Sequence, residues 1–180
     1  MTQYQYQYQD QPQATILIVD DELLNRKLLE TLLHLKGYLT CTAANADEAL
    51  TLMKQNTPDL ILLDIMMPGV DGYQLAETIK NEAAWTHIPI IMVTALIDSG
   101  SRTTGIVAGA DDVLTKPVDR SELWLKIKNL LRLQELEVMQ QVQTEVLKRN
   151  RELEQHISQS TTKLKNLSNI LRLFERGEIN

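Results

Sequence analysis

Hydrophobic positions change their period along this chain, and the changes mark out its elements. Thr15–Val19 (TILIV) is a short β-branched apolar run ending at two acids, which predicts a strand. Over Glu22–Lys36 the apolar residues fall at Leu24, Leu28, Leu29, Leu32 and Leu33, a helical spacing that Gly37 ends. Strands are then predicted over Tyr38–Ala43, Asp59–Leu63, Ile88–Val93 and Asp112–Thr115. Helices are predicted over Asn45–Gln55 (capped by Asn45 or Asp47), Gly72–Ala83 and Ser99–Ala108, with a last one from Asp119 or Ser121. Strand and helix therefore alternate five times. The strand runs are apolar throughout rather than alternately polar, as in a parallel sheet covered by helices on both faces. Right-handed crossovers give a doubly wound, five-stranded α/β sheet, and such folds carry their sites at the carboxyl ends of the strands.

Beyond residue 121 the pattern is different. Nearly 60 residues carry no turn signal until Gly177, which predicts a long helix. In a heptad frame from Leu136, position a holds Leu136, Gln143, Asn150, Ile157, Leu164 and Leu171. Position d holds Met139, Val146, Leu153, Ser160, Leu167 and Phe174. Nine of these twelve are apolar, a coiled-coil pattern in which a lone a-position Asn favours two strands. A homodimer through 136–174 is the expectation. Folding back on the globular part, or docking to a different protein, would also cover the stripe. Leu123, Ile127, Leu130, Leu131 and Leu133 fit the frame poorly and are expected to pack on the globular part, with a phase shift near 133–136. The weak helix formers of Ser158–Thr162 suggest a hinge or softened turn.

Charge follows the same division. Residues 1–121 hold 8 Lys/Arg against 16 Asp/Glu, and residues 122–180 hold 10 against 8, so a net −6 hides an acidic globule and a slightly basic helix. The polar, low-complexity residues 1–13 are expected to be a disordered leader. The expected division is therefore 1–13 leader, 14–133 globular domain and 134–180 coiled-coil helix. No apolar stretch reaches the 18 residues a membrane helix needs, and no secretory signal is evident, so a cytoplasmic location is expected. A single cysteine, Cys41, excludes a disulfide framework and is expected to be buried and inert. His34, His87 and His156 are too scattered to form a metal cluster. A pI near 5.1 argues against nucleic acid as a partner.

The chemistry gathers where the strands end. Asp20 and Asp21 follow the first, Asp64 the third, Thr94 the fourth, and Lys116 with Pro117 the fifth. Three clustered carboxylates repel one another, and a hard divalent cation with oxygen ligands, Mg²⁺ by preference, relieves this. Such an ion keeps open positions for a phosphoryl group. Lys116 supplies a point charge for one phosphoryl oxygen and Thr94 a donor for another.

The segments ILIVDDE at 16–22, LILLDIMMPGVDG at 60–72, PIIMVTA at 89–95 and GADDVLTKP at 109–117 resemble the receiver domain of two-component response regulators over about residues 14–133. The resemblance implies a flavodoxin-like sheet of order 2-1-3-4-5. It implies that Asp64 accepts a phosphoryl group from a sensor histidine kinase or phosphotransfer protein. Mg²⁺ would be bound by Asp21, Asp64 and the Met66 carbonyl, with Asp20 acting mostly through water. Lys116 would pair with phosphoryl oxygens, Thr94 would be the switch residue, and Lys116–Pro117 would be cis. The chain would then be a phosphoacceptor that promotes its own modification and slow dephosphorylation rather than an enzyme. It departs from the family at Val113, where an aromatic residue is usual. The apolar Met66 and Leu96, at positions that influence the attacking water, imply a long-lived acyl phosphate. Output is expected through the C-terminal helix. Alternatively, the chain is the receiver and linker of a larger regulator whose output enzyme is a nucleotide cyclase or phosphodiesterase.

Overall fold

The structure, a computed structural model, describes residues 14–95 and 108–175. Strands β1 (Thr15–Val19), β2 (Leu39–Ala43), β3 (Leu60–Asp64), β4 (Ile90–Thr94) and β5 (Asp112–Thr115) are all parallel and lie in the order β2-β1-β3-β4-β5. This is the doubly wound sheet expected. The described helices are α1 (Leu23–His34), α2 (Ala46–Gln55), α3 (Gly72–Asn81) and α4 (Arg120–Glu175). The leader at 1–13 and the helix expected over 99–108, save its last residue, lie outside the described residues.

Side chains alternate across a strand, so each apolar run supplies two cores. Leu17, Val19, Ile61, Leu63 and Met92 face one way and pack with Met53 of α2 and Leu75 and Ile79 of α3. Ile16, Ile18, Leu60, Leu62 and Val93 face the other way and pack with Leu29 and Leu33 of α1 and Leu123 and Ile127 of α4. That is why these strands read as unbroken hydrophobic text. Edge strand β2 is the exception, half-buried along most of its length, and its Cys41 is half-buried rather than enclosed. Burial still pushes the Cys41 thiol above its ordinary pKa, which disfavours the reactive thiolate.

Local signals place the helix ends. Asn45 caps α2 by accepting from the Glu48 N–H at 2.9 Å. Asp71 and Gln74 form a reciprocal capping box on α3. Gly37 follows α1 with φ of +82°, a left-handed turn that glycine takes without a Cβ penalty. Two boundaries differ from expectation in a way that matters. β3 and β4 run one residue further than predicted, so Asp64 and Thr94 are the last residues of their strands rather than the first after them. Their backbones are held in the ladder.

The chain divides into two compact units, Met1–Gln134 and Glu135–Asn180. In the first, Trp124 donates from Nε1 to the Leu32 carbonyl at 3.0 Å and fastens the start of α4 to α1. Leu133, expected to pack inward, is 54% exposed, so the inward face of α4 ends before it. In the second unit every described side chain is exposed. Residues 158–162 are helical, and Thr161 and Thr162 donate back to the carbonyls of Ile157 and Ser158. Among the described residues, no helix is long and apolar enough to cross a membrane.

Candidate functional site

The β1, β3 and β5 ends meet at one sheet edge because β1 pairs with β3, and β4 lies between β3 and β5. Carboxylate oxygens of Asp20, Asp21 and Asp64 lie within 4.8 Å of one another. Asp20 and Asp64 are buried, whereas Asp21 is exposed at the mouth. Lys116 Nζ bridges the two buried acids, donating to Asp20 Oδ2 and to Asp64 Oδ2, each at 2.9 Å. The Lys116 backbone N–H donates to the Thr94 carbonyl at 2.7 Å. The Lys116–Pro117 peptide is cis, as the resemblance implied. Thr94 itself is buried at the same edge, one residue beyond the Asp64–Val93 register pair.

One ammonium does not balance these carboxylates. Burial pushes the Asp64 carboxyl up; the Lys116 ammonium opposes this, the Asp20 charge adds to it, and the net direction is upward. For Lys116, burial disfavours the charge, but hydrogen bonds to Asp64 and Asp20 outweigh it and raise the pKa. The site thus carries excess buried negative charge. Oxygen donors of this hardness and spacing suit a divalent cation such as Mg²⁺.

Residues outside the expected set hold the acids in place. Asp20 Oδ1 accepts from the Glu22 N–H at 2.9 Å and from Asn25 Nδ2 at 3.1 Å. Arg26 Nη1 donates to the carbonyls of Asp20 and Asp21 at 2.6 and 3.0 Å. Their sequence signal is weak: two polar residues on the first turns of α1, five and six positions beyond Asp20. Met66 is 62% exposed, and its N–H reaches Asp64 Oδ1 at 3.3 Å. Gly72, the first residue of α3, packs against the β3 end. A Cβ there would overlap the Asp64 carbonyl oxygen and sit 2.8 Å from Ile65 Cα. The Gly72 N–H donates to the Ile65 carbonyl at 3.0 Å.

Val113, where the resemblance led to an aromatic residue, is buried on β5 in the core shared with α2 and α3. Leu96 lies outside the described residues. His34 pairs with Thr40 Oγ1 at 2.9 Å and His87 is exposed; neither approaches the acidic cluster.

Comparison with known proteins agrees with this geometry. The family model of the response regulator receiver domain matches residues 16–128. The chain is 47% identical over 117 residues to "Probable transcriptional regulator ycf27" of Cyanophora paradoxa, covering 65% of this chain and 48% of that protein. It is 41% identical over 119 residues to "Response regulator PleD" of Caulobacter vibrioides, covering 66% of this chain and 26% of that protein. The chain therefore spans about half or less of the length of these relatives. Among solved structures, a CheY-like response regulator receiver domain protein from Methanospirillum hungatei superposes with a TM-score of 0.65 at 32% identity, over 70% of this chain and 99% of that one. With its sheet order, its acidic edge and a family match over most of its length, this chain belongs to the response regulator receiver domain family of two-component systems.

Proposed function

We propose that Asp64 is the phosphoacceptor of a two-component relay and that the chain passes the signal on through its C-terminal helix. The observation that carries this is the Lys116 bridge to Asp64 inside an acidic cluster whose excess charge suits a cation. Asp20, Asp21, Asp64 and the Met66 carbonyl would hold Mg²⁺. When bound, the ion neutralises charge at the carboxylates and on the phosphoryl oxygens. The chain's own groups do the rest. An Asp64 carboxylate oxygen attacks the phosphorus of a phosphohistidine on a sensor kinase or phosphotransfer protein. The P–N bond breaks, and the imidazole leaves with the electron pair and takes a proton from solvent. Lys116 moves its ammonium from the carboxylate to a phosphoryl oxygen. Thr94 supplies the hydroxyl that follows the phosphoryl group and reports its presence. Asn25 and Arg26 keep Asp20 and Asp21 in place meanwhile.

Output is assigned to residues 134–180, by dimerisation or by partner binding, with the cytoplasm as the compartment. A second reading has support in the greater length of the relatives. There the helix relays to a further output module, such as a nucleotide cyclase or phosphodiesterase. Reading the native gene beyond the codon for Asn180 separates the two. The phosphoacceptor assignment is tested by incubation with acetyl phosphate and Mg²⁺. The wild-type chain gains one phosphoryl group and Asp64→Asn gains none. Undiminished labelling of that variant removes the assignment.

A further inference from the structure

We infer that residues 136–174 form a parallel, in-register, two-stranded coiled coil with a second copy of this chain, in which each Asn150 faces the other. This deepens the reading of the helix as the output element and rests on it in that respect only; the pairing does not depend on the chemistry at Asp64. In the unit from Glu135 onward, Leu136, Met139, Val146, Leu153, Ile157 and Leu164 share one seam and are each 45–68% exposed. That stripe runs four heptads from Leu136 to Leu164, about 42 Å of helix, and so reaches the three or four heptads that mark a sustained coiled coil. Val142 and Leu147 flank the seam at positions g and e and are 58% and 52% exposed. With them, pairing two copies hides on the order of 2,000 Å² in total, enough for a stable interface.

Polarity and charge select the second copy and its direction. Three seam positions are polar: Gln143, Asn150 and Ser160. In a parallel, in-register pair each meets its own counterpart, so no polar group faces an apolar layer. In an antiparallel pair a faces d. Aligning Gln143 with Ser160 then sets Asn150 against Leu153, leaving its amide without a partner. Parallel pairing also brings g-position Arg149 to e-position Glu154 of the second copy. Within its own chain Arg149 meets Glu152 at 3.5 Å, a long contact with the Arg149 side chain 73% exposed, so the guanidinium is free to turn to the second copy. A lone a-position Asn restricts assembly to two strands at some cost in stability.

Sedimentation equilibrium of the full chain at micromolar concentration tests this. A dimer is expected, and Leu153→Asp with Ile157→Asp should halve the mass while acetyl phosphate still labels Asp64. Asn150→Leu should add trimers or larger species. Direction is read by oxidation on a Cys41→Ser background. Leu136→Cys alone and Leu167→Cys alone should each give a linked dimer. Cross-linking only when the two variants are mixed would mean antiparallel pairing and overturn the inference. So would a monomeric wild-type chain, which would leave the seam to another protein or to fold-back. Loss of Asp64 labelling with the dimer intact would count against the phosphoacceptor reading alone.

Discussion

Substituting Gly72 by Ala sets two opposing effects against each other. Alanine leaves the unfolded chain with less entropy to lose and is for that reason the better helix former, by about 0.4–1 kcal/mol. On those grounds alone the variant would be more stable. The structure reverses the sign. The new Cβ would overlap the Asp64 carbonyl oxygen, sit 2.8 Å from Ile65 Cα and 3.0 Å from the Asp64 carbonyl carbon, where ordinary contact begins at 3.4 Å. All three atoms are backbone, so no rotamer relieves the overlap. Either α3 or the end of β3 must move by about 1 Å, at an overpacking cost of about 3 kcal/mol. The expected net loss is about 2 kcal/mol, or a fall of roughly 6–10 °C in Tm for a domain of this size. The displaced segment carries Asp64, the proposed acceptor, and a 1 Å misplacement costs on the order of 100-fold in rate. Gly72→Ala should therefore slow labelling by acetyl phosphate well beyond its effect on the folded fraction. Thermal unfolding followed by circular dichroism, with a labelling time course at 20 °C, measures both. An unchanged or raised Tm with wild-type labelling would refute the reasoning.

Three further outcomes are expected. In chelator-containing buffer, Asp64→Asn should raise Tm at pH 7. The folded Asp64 pKa lies above its ordinary value of 3.8, so ionising it costs stability at neutral pH. That cost is relieved in the wild type as pH falls through the raised value, so the gain from the substitution should shrink toward pH 4; a variant less stable at every pH would contradict this. Lys80→Met should cost about 1–2 kcal/mol in urea unfolding. It removes the ammonium that donates to the Ile88 carbonyl at 2.8 Å and to Asp111 Oδ2 at 2.9 Å, while Asp111 keeps the Ile90 N–H; a change within error would show that water replaces the ammonium at no cost. The acyl phosphate on the purified chain should last minutes or longer because exposed Met66 offers an attacking water no hydrogen-bond partner; a half-life of seconds would oppose that.

Much of the molecule was legible in its sequence because the sheet is buried on both faces. Ile16–Val19 and Leu60–Leu63 must be apolar at every position to serve two cores, so the strands stood out and their ends pointed to Asp20, Asp64, Thr94 and Lys116. The heptads after Leu136 were visible for a similar reason: a seam repeats and a loop does not. What escaped depends on tertiary contact. Asn25 and Arg26 read as ordinary polar helix residues, and only the fold shows them holding the Asp20–Asp21 turn. Gly72 read as the start of a helix, and only the close approach of α3 to β3 reveals why a side chain does not fit. Leu133 satisfied an apolar pattern yet is exposed, because periodicity alone does not tell where a continuous helix leaves the core. Cys41 was expected inside, but an edge strand covers its residues only partly.

Locating the phosphoryl group tests the central claim most directly. After incubation with acetyl phosphate and Mg²⁺, the acyl phosphate can be reduced with borohydride and the modified residue found by peptide mass spectrometry. The account predicts reduction at Asp64, abolished by omitting Mg²⁺ and strongly slowed in Lys116→Met. Modification centred on Asp20 or Asp21, or labelling of Asp64 indifferent to both Mg²⁺ and Lys116, would contradict it.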